Sequence, residues 1–318
     1  MLSRGRVNPV LPPVPTVRRG LLLMLLATAA FVGMSVCVKQ LREAGMGTEE
    51  VIFFRMAPGI PWLWFELRVR RKLSLRPHRR DLVYLRSLYG VGAMATSFYA
   101  VHALTVVQHN VLSLLQPVFI ALLAPLLLRE RLHTVVLAAL ALALAGALLV
   151  LSPEAAPQGL GGLPLLAGCL GVASALLSAL AHMTIRRTAA FEPPELVVFY
   201  FALHATLFGL LWSVATGGLG DLFLHVSAAT LPALVGLAVL GVLGQIAMTR
   251  AYSHAPASLV AIVAYVGIPL SLLADMLLWG AHAGVAALFG ALLMAGAGLL
   301  LARWPRPLVV VPPQPGQP

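Results

Sequence analysis

The amino-acid sequence predicts an all-α membrane protein of ten transmembrane helices, arranged as two inverted five-helix repeats, with both termini in the cytoplasm. Hydrophobic residues make up 60% of the 318 residues and charged residues only 10%, which leaves too few polar side chains to cover a water-soluble protein of this size. Ten apolar runs of about 20 residues, the length that a helix needs to cross a bilayer, divide the chain. The stretch at 103–146, two apolar runs around a charged turn, has a counterpart that begins at residue 251.

The two ends of the chain have the composition of tails. Residues 1–17 are rich in proline and arginine, and residues 304–318 are rich in proline, which predicts flexible segments. The first apolar run follows Arg18 and Arg19 and ends in alanines, so it also resembles a cleaved signal peptide. We favour an uncleaved first span because the repeat needs it.

Each repeat contains five predicted spans, and the repeats cover residues 18–153 and 160–303. The spans lie at 20–38, 51–67, 82–102, 106–128 and 134–152 in the first repeat, and at 162–183, 196–214, 230–249, 256–279 and 283–302 in the second. Because five is odd, the second copy starts from the opposite face of the membrane and is inverted. Inverted repeats are the architecture by which a central site is exposed alternately to the two sides.

The positions of the basic residues support this topology. Of the 22 basic residues, most fall in loops that ten spans place on the side of the N-terminus. They are Arg4, Arg6, Arg18, Arg19, Arg68, Arg70, Arg71, Lys72, Arg76, Arg79, Arg80, Arg129, Arg131, Arg186, Arg187, Arg250, Arg303 and Arg306. The opposite loops hold only Lys39 and Arg42. By the positive-inside rule both termini are cytoplasmic, in an inner (plasma) membrane.

Composition and motifs also exclude several classes of function. The net charge of +11 and the pI of about 10.8 do not indicate nucleic-acid binding, because the basic residues lie in short loops between spans. Cys37 and Cys169 lie within apolar runs and predict neither a disulfide nor a metal site, and nothing indicates a cofactor. An intramembrane enzyme, the most distant alternative, would need an HExxH motif or a Ser/His pair at matched depth, and neither is found. A secondary carrier is the prediction that remains.

Two prolines occupy corresponding places in the repeats. Pro117 and Pro269 lie midway through the fourth span of each copy. A proline within a helix frees a carbonyl that needs a partner, which is tolerable where the helix faces protein or a water-filled cavity. A kink that serves packing alone is the alternative for each; their matched positions favour a lined cavity.

The segments EVIFFR, ALTVVQHNVLSLLQPVF with LLLRERL, and GQIAMTRAYSHAPASLVAIVAY resemble the EamA-type carriers of the drug/metabolite transporter superfamily. The resemblance implies that spans one to four and six to nine surround a central cavity, with spans five and ten outside. It also implies secondary transport of a small organic solute, such as an amino acid, another metabolite or a drug-like compound, often as export. The family usually repeats the acidic residue that ends span four, here Glu130, whereas Ala281 stands in the second copy. We therefore interpret Glu130 as a residue that caps or orients its turn between Arg129 and Arg131.

Ionisable residues within spans are functional candidates because they are costly in a membrane. Arg55 and Asp275 each lie about four residues inside the outer end of a span, and we hypothesise that they pair, directly or through substrate, to close the cavity. The alternative is that Arg55 extends to the interface and Asp275 meets interfacial water. Arg86 and Arg250 lie near cytoplasmic helix ends, where anchoring is the preferred interpretation.

Uncharged polar residues on the helices that the family places around its cavity are weaker candidates. They are Tyr99, His102, Asn110, Gln116, Tyr200, His204, Gln245 and Tyr265. Gln116 and Tyr265 lie near mid-membrane and are the first choices as substrate contacts, while His102 and His204 are candidates for carrying a coupled proton. An interhelical hydrogen bond is the alternative for each. A facilitator or an uptake carrier stays open beside proton-coupled export, and small-residue faces leave the oligomeric state open.

Overall fold

The computed structural model describes residues 17–103, 112–130, 133–150, 165–217, 220, 223–280 and 284–302. Every regular element in these ranges is a helix, as predicted. The helices are α1 (Val17–Glu43), α2 (Thr48–Met56), α3 (Gly59–Phe65), α4 (Arg80–Ala103), α5 (Leu115–Leu127), α6 (Thr134–Val150), α7 (Leu165–Thr188), α8 (Pro194–Ala215), α9 (Leu231–His254), α10 (Ala257–Ala264), α11 (Gly267–Trp279) and α12 (Val285–Ala302). A π-helical turn, Glu66–Arg70, extends α3 towards the following loop.

The helices have the length and surface of membrane-spanning elements. Five are long and apolar enough to cross a bilayer, namely α1, α7, α8, α9 and the pair formed by α10 and α11; α5, α6 and α12 are apolar but shorter. Large apolar side chains point away from the protein, for example Leu26 with 61% and Leu277 with 74% of its surface exposed. Such an outward apolar surface on several helices is one that lipid covers.

Helices from the two halves of the chain pack in pairs. The most extensive contacts join α1 to α9, α4 to α7, and α6 to α12, and α8 covers α2, α3 and α4. Small residues permit the close approach: a Cβ on Gly146 of α6 would lie 2.6 Å from the Gly290 carbonyl oxygen of α12. Gly20 at the start of α1 meets Ala255 just beyond the end of α9 in the same way. α1 and α9 are therefore antiparallel, and the last turn of α1 lies at the opposite end of the bundle from the last turn of α9.

Three of the predicted spans are interrupted by turns, and the one at 51–67 divides at Ala57 and Pro58 into α2 and α3. The span predicted at 256–279 divides at Tyr265 and Val266 into α10 and α11, and a turn at Leu114 precedes α5. Pro269 and Pro117 are each the third residue after these breaks, where a missing backbone N–H does least harm to a helix. The Tyr265 hydroxyl donates a hydrogen bond of 2.6 Å to the Leu114 carbonyl, so the two breaks are joined directly.

Candidate functional site

A cavity of about 370 Å³ lies between helices of both halves of the chain. Its walls come from α1, α2, α4, α7, α8 and α9. The lining residues are Phe31, Met34, Arg55, Arg86, Gly90, Ala93, Met94, Ser97, Ser174, Ser178, Ala181, His182, Phe201, Gln245 and Met248. Its volume and its mixture of apolar walls with a few polar groups are typical of small-molecule sites.

A second cavity of about 130 Å³ adjoins the first and shares Ser97, Ser174 and Ser178 with it. It adds Ser113 and Gln116 from the α5 region. The two cavities therefore form one polar site, in which serine hydroxyls and an amide lie at one side and the arginines at the other.

Arg86 occupies the larger cavity as a buried cation. The residue is 3% exposed, and its guanidinium carbon lies 3.8 Å from the centre of the Phe201 ring. Among the described residues, Nε and Nη1 of Arg86 have no hydrogen-bond partner. Gly90, one turn further along α4, makes room for this arrangement: a Cβ there would meet Nη1 of Arg86 and lie 2.8 Å from the Phe201 ring. A guanidinium face on an aromatic ring is a favourable contact, and Arg86 is one of the residues that line the cavity.

Arg55 enters the same cavity from α2. Its aliphatic stem packs on α9, where a Cβ on Gly241 would lie 3.2 Å from Cγ of Arg55. Its guanidinium carbon lies 5.9 Å from the centre of the Phe31 ring. Arg55 Nε is buried without a hydrogen-bond partner in the described part of the chain, and so is Nε2 of Gln245, which is 4% exposed. These unsatisfied atoms are all donors.

His182 connects the two parts of the site. Gln116 Nε2 lies 2.6 Å from Nδ1 of His182. The Gln116 amide and the His182 ring are therefore hydrogen-bonded to each other across the site. The other side of the ring stacks on Tyr252, with centroids 4.9 Å apart and planes 14° apart.

The carboxylates of the described residues lie away from the cavity, and most of them are paired with a basic side chain. Among the described residues none of them lines it. Seven form ion pairs elsewhere: Glu50 with His225, Glu66 with Arg71, Asp81 with Arg79, Glu130 with Arg186, Glu192 with His78, Glu195 with Arg250, and Asp275 with Lys39. The cavity is therefore positively charged.

At the end of the bundle where α9 finishes, Glu195 bridges the two halves of the chain. Its carboxylate is 2% exposed and accepts hydrogen bonds from Arg71 at 3.1 and 3.2 Å. Arg250 donates to the same carboxylate from Nε, at 3.1 Å, and from Nη2. Arg250 is thus tied to a carboxylate of the protein, which corrects its interpretation as a simple interfacial anchor.

Glu130 forms a second connection at this end. Its two carboxylate oxygens accept the backbone N–H of Ala257 at 3.1 and 3.0 Å, and Arg186 lies 3.5 Å away. Burial raises the pKa of Glu130, and the Ala257 N–H and Arg186 oppose that shift. Glu130 therefore caps the first turn of α10, in the other half of the chain, and not its own turn as the sequence suggested.

The opposite end of the bundle carries a different contact between α1 and α11. Lys39 lies 3.0 Å from Asp275 and 3.7 Å from the centre of the Trp279 ring, and both charged side chains are about half exposed. Among the described residues Asp275 therefore pairs with Lys39, and the hypothesised direct pair with Arg55 is not formed in this structure. Arg55 instead lines the cavity with its Nε buried, and a pair bridged by substrate stays a prediction.

The other predicted residues divide between the cavity and packing roles. Arg55, Gln116 and Gln245 line the site. Tyr265 donates to the break before α5, and His204 Nδ1 lies 2.6 Å from the Tyr200 carbonyl oxygen, so each has a hydrogen bond within the protein.

Two further predicted tyrosines lie off the cavity walls. Tyr200 donates to the Leu75 carbonyl at 3.0 Å, and Tyr99 is 50% exposed. His102 and Asn110 lie outside the described side chains.

Sequence reasoning missed Arg86 and His182 as cavity residues and placed Arg86 at the interface as an anchor. Their helices carried a usable signal. Arg86, Gly90 and Ser97 are separated by four and seven residues, which places them on one face of α4 together with small residues. Ser174, Ser178 and His182 repeat every four residues on α7 in the same way. A polar and small stripe of this kind marks a helix face that lines a cavity.

Comparison with known proteins agrees with these features. A model of the EamA-like transporter family matches residues 18–152. The pseudopaline exporter CntI of Pseudomonas aeruginosa is 27% identical over 288 residues, covering 90% of this chain and 96% of the relative. An uncharacterized transporter of Helicobacter pylori is 26% identical over 296 residues, covering 90% of this chain and 95% of the relative.

A solved crystal structure has the same fold, with a TM-score of 0.74, 17% identity and coverage of 88% of this chain and 95% of its own. That likeness concerns the fold alone. The family and its exporters, together with the apolar helices, identify a multi-pass integral membrane protein that handles a small-molecule substrate and is not an enzyme. Residues 18–152 thus match the EamA-like transporter family that the motifs resembled, and most of the chain is similar in sequence to the exporter CntI.

Proposed function

We propose that this protein is a secondary transporter that exports a small organic solute from the cytoplasm across the inner (plasma) membrane by alternating access. The observation that carries the proposal is the polar cavity between helices of both halves of the chain. Ten spans in two inverted five-helix repeats, with both termini cytoplasmic, form the scaffold. A solute bound at the junction of two such repeats is released to either side when one half rocks against the other.

The helix packing supports an inverted repeat. A twofold axis that exchanges the repeats maps span one onto span six and span eight onto span three. It therefore maps the contact between spans one and eight onto the contact between spans six and three. These are the α1–α9 and α4–α7 pairs, and both are extensive. The same exchange maps the contact between spans five and ten, which is the α6–α12 pair, onto itself. The family match to residues 18–152 has the length of one repeat.

Ion pairs at the two ends of the bundle are suited to act as gates. Glu195 with Arg71, and Glu130 with Ala257, join the halves at the end that the basic loops place in the cytoplasm. Asp275 with Lys39 joins them at the outer end. Opening either end requires that the contacts there break, and contacts of this kind are the ones that alternating access exchanges.

The direction of transport is proposed from the relatives. The pseudopaline exporters cover nearly the whole chain, which supports export of a metabolite. A facilitator and an uptake carrier of the same fold are the alternatives. Proton coupling is included in the proposal, and His102 and His204 stay its candidate carriers, since the bond of His204 Nδ1 to the Tyr200 carbonyl leaves Nε2 available.

The test is transport by the purified protein in proteoliposomes, with a panel of amino acids, organic acids, nucleosides and organic cations, with and without a pH gradient. We expect gradient-dependent movement of one class of solute. Ser178→Trp should abolish it by filling the cavity, whereas Leu88→Trp, at a position that is 67% exposed on the outer surface of α4, should retain it. Solute movement at the same rate with and without the pH gradient would indicate a facilitator. Equal transport by both tryptophan variants would contradict a transport route through this cavity.

A further inference from the structure

The cavity combines two cations with unsatisfied donors and offers no counter-charge. Arg55 Nε, Arg86 Nε, Arg86 Nη1 and Gln245 Nε2 are buried and lack hydrogen-bond partners among the described residues. No carboxylate of the described residues lines either part of the site. The arginines of the ion-pair clusters at the bundle ends, in contrast, each meet an acid of the protein.

Burying an unpaired guanidinium is costly. Removal of a charged group from water is unfavourable even after the surroundings relax, and membrane depth makes this cost larger. The aromatic contacts recover only a part of it. Placing two cations in one cavity adds mutual repulsion. Retaining both arginines is therefore explained only by a further partner that brings negative charge.

The geometry indicates what kind of partner fits. Phe201 covers one face of the Arg86 guanidinium, and Nε and Nη1 at its edge have no acceptor among the described residues, so a hydrogen-bond acceptor is what the group lacks. Planar guanidinium edges match the oxygens of a carboxylate. The adjoining cavity, with Ser97, Ser178 and Gln116, suits hydroxyl, carbonyl or amide groups on the remainder of the same molecule.

We propose that the cavity binds an organic anion with at least one carboxylate group, with Arg55 and Arg86 as its counter-charges, and that such an anion is the transported solute. The second clause rests on the proposed function, whereas the first does not. Organic cations are excluded by the charge of the site. A neutral solute would leave the guanidinium groups without a counter-charge, so the carboxylate is the feature that the site selects.

Ligand-induced stabilisation of the full-length protein in detergent tests the binding site directly, at low ionic strength and in a buffer without carboxylate or phosphate. The probes are succinate, citrate and glutamate, with succinamide as the neutral analogue of succinate and choline as a cation. We expect the carboxylates to raise the unfolding temperature of the wild type and the other two compounds to leave it unchanged. Arg86→Gln and Arg55→Gln should each weaken the apparent affinity at least tenfold. Arg68→Gln, an equal loss of charge at an exposed position, should keep the wild-type response.

A merely structural role for Arg86 makes a different prediction. If Arg86 mainly held the fold together, Arg86→Gln would lower the unfolding temperature without ligand. Since the cation is unpaired here, we expect the unliganded variant to be at least as stable as the wild type. Arg86→Lys keeps the charge but not the planar group, so it should respond to succinate more weakly than the wild type and more strongly than Arg86→Gln.

The assignment is overturned if no carboxylate stabilises the wild type, or if the response persists in both glutamine variants. Counterflow in proteoliposomes separates this result from the transport proposal. Transport of a neutral or cationic solute, with no stabilisation by carboxylates, would contradict the proposed anion site and keep the transporter proposal. Carboxylate binding that depends on the two arginines, without any movement across the membrane, would support the anion site and contradict the transporter proposal.

Discussion

Replacing Glu195 by glutamine should destabilise the protein more than any other single change of one acid at the bundle ends. The Glu195 carboxylate is 2% exposed and receives hydrogen bonds from both Arg71 and Arg250. The substitution removes the negative charge between the two guanidinium groups; Arg71 keeps its pair with Glu66, whereas Arg250 loses its carboxylate partner. Because these groups come from the first and second halves of the chain, the loss falls on the contact between the repeats.

The magnitude follows from burial. Breaking a buried ion pair by removing one partner costs about 3–5 kcal/mol. Here the arginine side chains are 37% and 38% exposed, so water can solvate them again and the lower end of that range applies. We expect a loss of about 3 kcal/mol in the free energy of unfolding, which is roughly a 100-fold change in the unfolding equilibrium.

Equilibrium unfolding by a denaturing detergent, followed by tryptophan fluorescence, measures this loss. Glu43→Gln, at the exposed end of α1, is the matched control and should change the free energy by less than about 0.5 kcal/mol. Adding Arg250→Gln to Glu195→Gln should restore part of the stability, since it removes an unpaired cation. A Glu195→Gln variant as stable as the control, or losses that simply add in the double variant, would refute this account of the pair.

Three further changes test other contacts. The folded-state pKa of Glu130 is raised, so its contribution to stability is complete below its unfolded pKa and is lost as pH rises through the folded pKa. Thermal unfolding should therefore find Glu130→Gln at least as stable as the wild type at pH 7, with no difference between them below about pH 4. A wild type more stable than Glu130→Gln at pH 7 would contradict the raised pKa. Lys39→Gln and Asp275→Asn should each lower the free energy of unfolding by less than about 1 kcal/mol. The transport rate of the Lys39→Gln, Asp275→Asn double variant should equal that of either single variant. The losses of transport caused by Asp275→Asn and Arg55→Gln should instead add. Tyr265→Phe should lose about 1 kcal/mol of stability, one hydrogen bond, with succinate affinity unchanged; a weakened affinity would return Tyr265 to the substrate contacts.

The all-helical membrane fold could be predicted because insertion into a membrane requires a particular composition. Runs of about 20 apolar residues and loops rich in arginine each reflect a local cost, so they can be read without tertiary information. The division of the span at 256–279 into α10 and α11 was less accessible. Pro269 indicated a disturbance there, but a proline is compatible with several backbone conformations, and the bond from Tyr265 to Leu114 joins residues far apart in the sequence.

The site was predicted less completely because it depends on contacts between helices far apart in the sequence. Asp275 and Arg55 lie at similar predicted depths, yet depth does not specify rotation about the helix axis, and Lys39 proved to be the neighbour of Asp275. Arg86 was assigned to the interface from its place near a helix end. Only the packing of Phe201 beside Gly90 reveals that its guanidinium group turns inward.

Accessibility of the cavity from each side of the membrane tests the central claim most directly. A cysteine at Ser178, which lines both parts of the site, would be introduced after Cys37 and Cys169 are changed to serine. Membrane-impermeant thiol reagents would then be applied to right-side-out and inside-out vesicles. Alternating access predicts that this cysteine reacts from either side, and that succinate slows the reaction on both. Reaction from only one side, in a protein that still transports, would contradict a route through this cavity.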